Sequence, residues 1–132
     1  MLDLILCIDD DPITLMLCKK VITKTSFSNT IATAKNGEEA LQYFNSIINN
    51  NDETKLPQLI FLDLNMPVMD GWEFLDNFST NKYSSVNSTK IVVLSSTIDP
   101  EDFEKSKKYK MVIDFLSKPI TTNMLTYLES KI

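Results

Sequence analysis

The stretch Leu4-Ile5-Leu6-Cys7-Ile8-Asp9-Asp10-Asp11 decides the architecture. Five apolar residues with a β-branched bias run straight into three carboxylates. So short and continuous an apolar run suits a central parallel strand covered on both faces. Pro12 follows at a good place for the first turn of a helix, with Asp11 placed to cap it. Ile13, Leu17 and Val21 then recur at helical spacing, and Cys18 and Ile22 widen the stripe. The unit is a strand, an acidic turn and an amphipathic helix.

Reading outward, the unit repeats. Thr30 to Ala34 reads as a second short strand, and Asn36-Gly37 as a turn and helix cap. Leu41, Phe44 and Ile48 form the next helical face, which ends in the polar run Asn49 to Asp52. Leu59 to Leu62 is a third unbroken apolar strand, and it too ends in a carboxylate, Asp63. The loop from Asp63 to Gly71 is punctuated by Pro67 and Gly71 and leads into a helix around Trp72 to Phe78, apolar at Phe74, Leu75 and Phe78. Ser79 to Thr89 reads as a helix end plus surface loop, with Val86 its only aliphatic anchor. Ile91 to Leu94 is a fourth strand with Ser95-Ser96-Thr97 at its exit. A short Lys-rich helix follows from Asp99 or Pro100 to near Lys108, with Phe103 its main apolar contributor. Val112 to Leu116 is a fifth strand, and Lys118-Pro119 leads into a last helix faced by Leu125, Leu128 and Ile132. Five strand–helix units with apolar strands imply a parallel sheet, helices on both faces and right-handed crossovers.

Bulk properties narrow the function. The chain has 132 residues, enough for one domain with a sizeable core and too few for two ordinary ones. Eighteen acidic residues against 13 basic leave a net charge of -5, which repels nucleic acid unless a basic patch is segregated. The one dense basic run, Lys105, Lys107, Lys108 and Lys110, reads as a solvated helix face. Cys7 and Cys18 lie in a strand-like and a helix-like run and read as small buried hydrophobes, which fits a reducing, cytoplasmic setting. There is no histidine, which removes histidine-based triads, and any phosphorylated histidine would have to belong to a partner. No basic segment precedes the first apolar run as in a signal peptide, and no run approaches the ~20 residues of a membrane span.

In open parallel sheets ligands bind at the carboxyl ends of the strands. Asp9, Asp10, Asp63, Ser95 and Lys118 all fall at that edge. The carboxylates repel one another and call for a counter-charge, for which a hard divalent ion such as Mg²⁺ is the economical answer. Lys118 adds positive charge without being a metal ligand, and Ser95 offers a hydroxyl. Such a set suits in-line phosphoryl transfer to a carboxylate, with Asp63, on the strand expected at the middle of the sheet, as the acceptor.

Four pieces of sequence then resemble the receiver domain of bacterial two-component response regulators. They are Ile8-Asp9-Asp10-Asp11, Leu62-Asp63-Leu64-Asn65-Met66-Pro67-Val68-Met69-Asp70-Gly71, Val93-Leu94-Ser95-Ser96 and Phe115-Leu116-Ser117-Lys118-Pro119, spanning Leu4 to about Lys131 in order. The resemblance implies a single receiver domain over 1–132. The fold would be a doubly wound α/β fold of flavodoxin-like type, a five-stranded parallel sheet in the order 2-1-3-4-5. It implies that Asp63 is phosphorylated, that Asp10 binds Mg²⁺ directly and Asp9 through water, and that Asn65 offers its backbone carbonyl. Ser95 and Lys118 take the family's hydroxyl and lysine positions, Phe115 its switch aromatic, and Pro119 a position often cis. The donor would be a sensor histidine kinase or a histidine phosphotransfer protein. The output would be a surface change from the Lys-rich helix to the last helix, read by a downstream protein. Neither nucleic acid nor membrane would be a partner, and the domain would be a monomer or weak homodimer.

Two departures stand out. The approach to the fifth strand, Lys108-Tyr109-Lys110-Met111-Val112, lacks the family's usual glycine, and the loop from Ser79 to Thr89 is long. Two other readings compete with a stand-alone phosphoacceptor. One is a constitutive docking domain, which the complete acidic set disfavours. The other is a small phosphohydrolase using an aspartate nucleophile, which Asn65 disfavours because such enzymes carry a second acid there. Nucleotide or flavin binding fares worst, since two glycines cannot build a phosphate-cradling loop.

Overall fold

Apolar strands and capped helices alternate along the whole chain in a computed structural model that describes residues 1–132. Strands β1 (Leu2–Ile8), β2 (Ser28–Ala34), β3 (Leu59–Leu62), β4 (Lys90–Ser95) and β5 (Val112–Ser117) each precede a helix. The helices are α1 (Pro12–Lys24), α2 (Gly37–Asn50), α3 (Gly71–Phe78), α4 (Pro100–Ser106) and α5 (Thr122–Glu129). All strand pairs are parallel, in the order β2-β1-β3-β4-β5. The doubly wound, flavodoxin-like α/β fold and its strand order agree with the sequence reading. No helix is long and apolar enough to cross a membrane.

Period-two alternation splits the strand residues between two cores. Leu6, Ile8, Ile60 and Leu62 face α2 and α3, where Phe44, Phe74 and Phe78 pack against them. Ile5, Cys7, Leu59 and Phe61 face the other way, against Cys18 and Ile22 of α1 and Leu125 and Leu128 of α5. Each such side chain taken from water contributes about 1.5–3 kcal/mol before entropy is counted. Cys7 and Cys18 are free and buried.

Every helix begins with a side-chain cap. Asp11, Asn36, Asp70, Asp99 and Thr121 each accept a hydrogen bond from a first-turn amide, a contact typically worth ~1 kcal/mol. Asp70 and Glu73 form a reciprocal capping box on α3.

The structure corrects several packing expectations. On α1, Ile13 and Leu17 are exposed rather than buried, and Cys18 and Ile22 carry the buried face. On α2, Ile47 is buried in place of Ile48, which is only partly covered. Tyr83 joins Val86 as a second buried anchor of the loop after α3 and lies in a single 3₁₀ turn, Asn81–Tyr83. Ile132 falls beyond the end of α5.

Candidate functional site

Register assembles the site. Ile8 pairs with Leu62, so the next residues, Asp9 and Asp63, emerge side by side at the carboxyl edge. There the chain reverses its winding, because β1 sits between β2 and β3. The ladder continues past the strand ends: the Asp9 amide donates to the Ala34 carbonyl at 3.0 Å, and the Asp63 amide to the Ile8 carbonyl at 2.9 Å. On the other side Ser95 pairs with Ser117, so Lys118 starts just beyond β5. The Lys118 amide donates to the Ser95 carbonyl at 2.8 Å, and the Lys118-Pro119 bond is cis.

Side chains then converge on one spot. Oxygen atoms of Asp9, Asp10 and Asp63 lie within 4.8 Å of one another. Lys118 Nζ is 2.6 Å from Asp9 Oδ2 and 3.3 Å from Asp63 Oδ1. Asp9 and Asp63 are buried and Asp10 is exposed, so the cluster opens to solvent on one side. Asp11 is turned to helix capping: its carboxylate accepts from the Ile13 amide at 2.9 Å. The Asp9 carboxylate accepts from the Asp11 amide at 2.9 Å, which fixes its rotamer. Ser95 is buried at the end of β4, its hydroxyl oxygen 3.4 Å from the Thr97 amide. Asn65 is exposed, and its backbone N–H favours the charged form of the Asp63 carboxyl. Phe115 is buried with Leu64 and Val93, its ring edge-on to Phe103 of α4 at 6.0 Å.

Electrostatics follow from this crowding. Burial, and then the neighbouring Asp9 charge, push the Asp63 carboxyl above the usual carboxylate range, against the pull of Lys118 and the Asn65 amide. Burial disfavours the Lys118 charge, but its contacts with Asp9 and Asp63 outweigh that and hold it above its ordinary value. Three carboxylates thus face one ammonium, a donor set made wholly of oxygen and short of positive charge. Such a set fits a hard divalent cation.

Both glycines of the chain brace the loop that follows Asp63. A Cβ at Gly71 would lie 2.5 Å from the Asp63 carbonyl oxygen and 2.9 Å from Leu64 Cα, main-chain atoms that cannot yield. A Cβ at Gly37 would lie 2.7 Å from Met69 Cγ, and the Gly37 amide donates to the Met69 carbonyl at 2.8 Å. Between these braces Val68 adopts φ 69°, a left-handed conformation that a β-branched residue rarely takes. The sequence reading treated Gly37 and Gly71 as turn punctuation. Their number was the available signal: with only two glycines, each had to meet a backbone demand.

The chain matches the response regulator receiver domain over residues 5–128 and belongs to that family. It is a receiver domain of two-component signalling. Among curated relatives, the nitrate/nitrite response regulator protein NarL of Escherichia coli is 35% identical over 98 residues, 74% of this chain and 40% of that protein. A protein-glutamate methylesterase/protein-glutamine glutaminase of Methanospirillum hungatei is 30% identical over 95 residues, 72% of this chain and 23% of that protein. A sensor histidine kinase, CheAY of Helicobacter pylori, is 26% identical over 93% of this chain and only 14% of its own length. The chain thus spans less than half of each of these three relatives. Among solved structures, a two component response regulator from Cytophaga hutchinsonii superposes with a TM-score of 0.87 at 32% identity, covering 98% of this chain and 96% of that one. A two-component response regulator from Legionella pneumophila gives 0.77 at 28% identity, with both chains fully covered.

Proposed function

We propose that residues 1–132 act as one phosphoacceptor unit in which Asp63 receives a phosphoryl group from a phosphohistidine on a partner protein. The observation that carries this reading is the joint position of Asp63: buried, next to two other carboxylates, and 3.3 Å from the Lys118 ammonium. An Asp63 oxygen attacks phosphorus in line, the P–N bond breaks, and the imidazole departs with the partner. Partial desolvation strips water from the attacking carboxylate, and Lys118 stands where the equatorial oxygens of the transferring group develop charge. The Ser95 hydroxyl, at the adjacent strand end, is the donor for a third oxygen. Asp9, Asp10, Asp63 and the Asn65 carbonyl are the groups that would hold Mg²⁺. When bound, the ion neutralises charge on the phosphoryl oxygens.

The donor is a histidine kinase or histidine phosphotransfer protein, as family membership and the likeness to a sensor histidine kinase suggest. Once charged, Asp63 draws Ser95 toward it, and Phe115 repacks in the space beside Leu64 and Val93. The surface formed by α4, β5 and α5 then presents a changed face to a downstream protein.

Incubation with a small acyl phosphate and Mg²⁺, followed by intact-mass spectrometry, tests the assignment. We expect a labile phosphoryl adduct on the native chain, none on Asp63→Asn, and a Mg²⁺ dependence shifted to higher concentration for Asp10→Asn. An adduct that persists in Asp63→Asn would refute it.

A further inference from the structure

The Lys-rich segment that departs from the family pattern has a specific contact in this fold. Trp72, the only tryptophan, stands in the first turn of α3, directly after the loop that starts at Asp63. The Lys105 ammonium of α4 lies 4.4 Å from its ring centroid. The Tyr109 ring stacks on it at 6.1 Å with 29° between planes, and the Tyr109 hydroxyl donates to Asp76 Oδ1. Trp72 and Asp76 are one turn apart on the same side of α3. Lys105 and Tyr109 bracket the end of α4. Lys105 of α4 and Tyr109 of the turn that follows it therefore grip two residues of α3 by a cation–π contact, a ring stack and a hydrogen bond.

This bracket matters because α4 has little else to hold it. It has seven residues, and Ser106 is its only buried one. Phe103, its largest apolar side chain, is 37% exposed and meets Phe115 edge-on. Trp72 itself packs against Leu64, Val93 and Phe115, the cluster immediately behind the acceptor loop and the Ser95 strand. One indole therefore touches both the inner cluster beside the phosphorylation site and the outer helix.

We propose that Trp72, Lys105, Tyr109 and Asp76 form a latch that holds α4 in its resting position and sets how readily the domain switches. These are positioning residues: none reaches the Asp63 carboxylate, and they act through the placement of α4 and Phe115. The inference rests on the phosphoacceptor reading above. A ligand that stabilises the switched arrangement must loosen the latch, so its apparent affinity falls by the latch's strength.

The test titrates beryllofluoride, a phosphoryl mimic, at fixed Mg²⁺ and follows Trp72 emission. We expect the double variant Lys105→Gln, Tyr109→Phe to bind about 5-fold more tightly than the native chain, at the low end of typical coupling strengths. Its emission without ligand should already be displaced toward that of the ligand-bound native chain. If the double variant loses its fold, judged by circular dichroism, Tyr109→Phe alone carries the test with a smaller shift of the same sign. A purely structural contact would lower thermal stability without tightening the ligand. Unchanged or weakened affinity in a folded variant overturns the latch and leaves the phosphoacceptor reading standing. Failure of the native chain to bind the mimic overturns both.

Discussion

Helices α3 and α4 make an instructive pair. Each follows a strand that delivers a site residue, Asp63 for one and Ser95 for the other, and each opens on an aspartate cap. There the likeness ends. Eight residues of α3 bury Gly71, Phe74, Leu75 and Phe78 and carry a full capping box. Seven residues of α4 bury only Ser106. The helix that follows Asp63 is fixed into the core, whereas the helix that follows the buried Ser95 is tethered at its margin. Of the two helices, α4 therefore lies nearer the low-stability end of the fold.

The largest expected effect tests the fixed side. Phe74→Ala removes a fully buried ring and should cost about 3–5 kcal/mol in urea denaturation. Phe103→Ala should cost less than about 1 kcal/mol, since its ring is already partly in water. Equal costs would erase the contrast between the two helices. Next comes Gly71→Ala, which drives a methyl group into the Asp63 carbonyl. We expect a loss of about 1–3 kcal/mol, the usual cost of overpacking, together with slowed acyl phosphate labelling. Unimpaired labelling would mean that the loop is less rigid than its braces imply.

A smaller effect of opposite sign is expected at Asp63. Its carboxyl is held high by burial and by Asp9, so the folded state pays for the ionised form. Asp63→Asn should therefore stabilise the metal-free chain by about 1 kcal/mol at neutral pH. The native chain should approach the variant as pH falls through the raised value, because a high folded-state pKa makes stability present at low pH and lost as pH rises. A destabilised variant in chelator would show that the pairing with Lys118 dominates instead.

The smallest effect probes the tethered side. Burial, and then the hydrogen bond and charge of Asp76, push the Tyr109 hydroxyl up to about 12 from 10.0. The raised value means that its contribution is complete below the ordinary tyrosine range and fades as pH climbs toward 12. The stability gap between the native chain and Tyr109→Phe, measured by urea midpoints, should narrow from pH 9 upward. A constant gap would separate the hydroxyl from the grip on α3.

Much of this was legible in the residues. Leu59 to Leu62 could only be a covered strand, and Asp9, Asp63 and Lys118 at strand ends could only meet at one edge once the sheet was parallel. Helix phase was harder. In α1 the apolar residues Ile13, Leu15, Met16, Leu17, Cys18, Val21 and Ile22 cover so much of the circumference that periodicity does not choose a face. Packing against β1 and α5 chooses it, and Ile13 and Leu17 are left outside. The Trp72–Tyr109 stack was invisible for a different reason: two aromatics far apart in sequence carry no local pattern until tertiary structure joins them. Asn36 and Asp70, by contrast, act locally, and their caps could be read from neighbours a turn away.

The two glycines have a last consequence, in the mutational history open to this chain. Neither has a positive φ, whereas Ser26, Asn51 and Val68 do. Glycine is used here for closeness, and left-handed turns are entrusted to residues that have a side chain. Drift can therefore explore positions 26, 51 and 68, where several residues relieve or tolerate the backbone. At 37 and 71 every alternative begins with the same colliding carbon, so a descendant lineage can rebuild its surface widely while these two positions stay where they are.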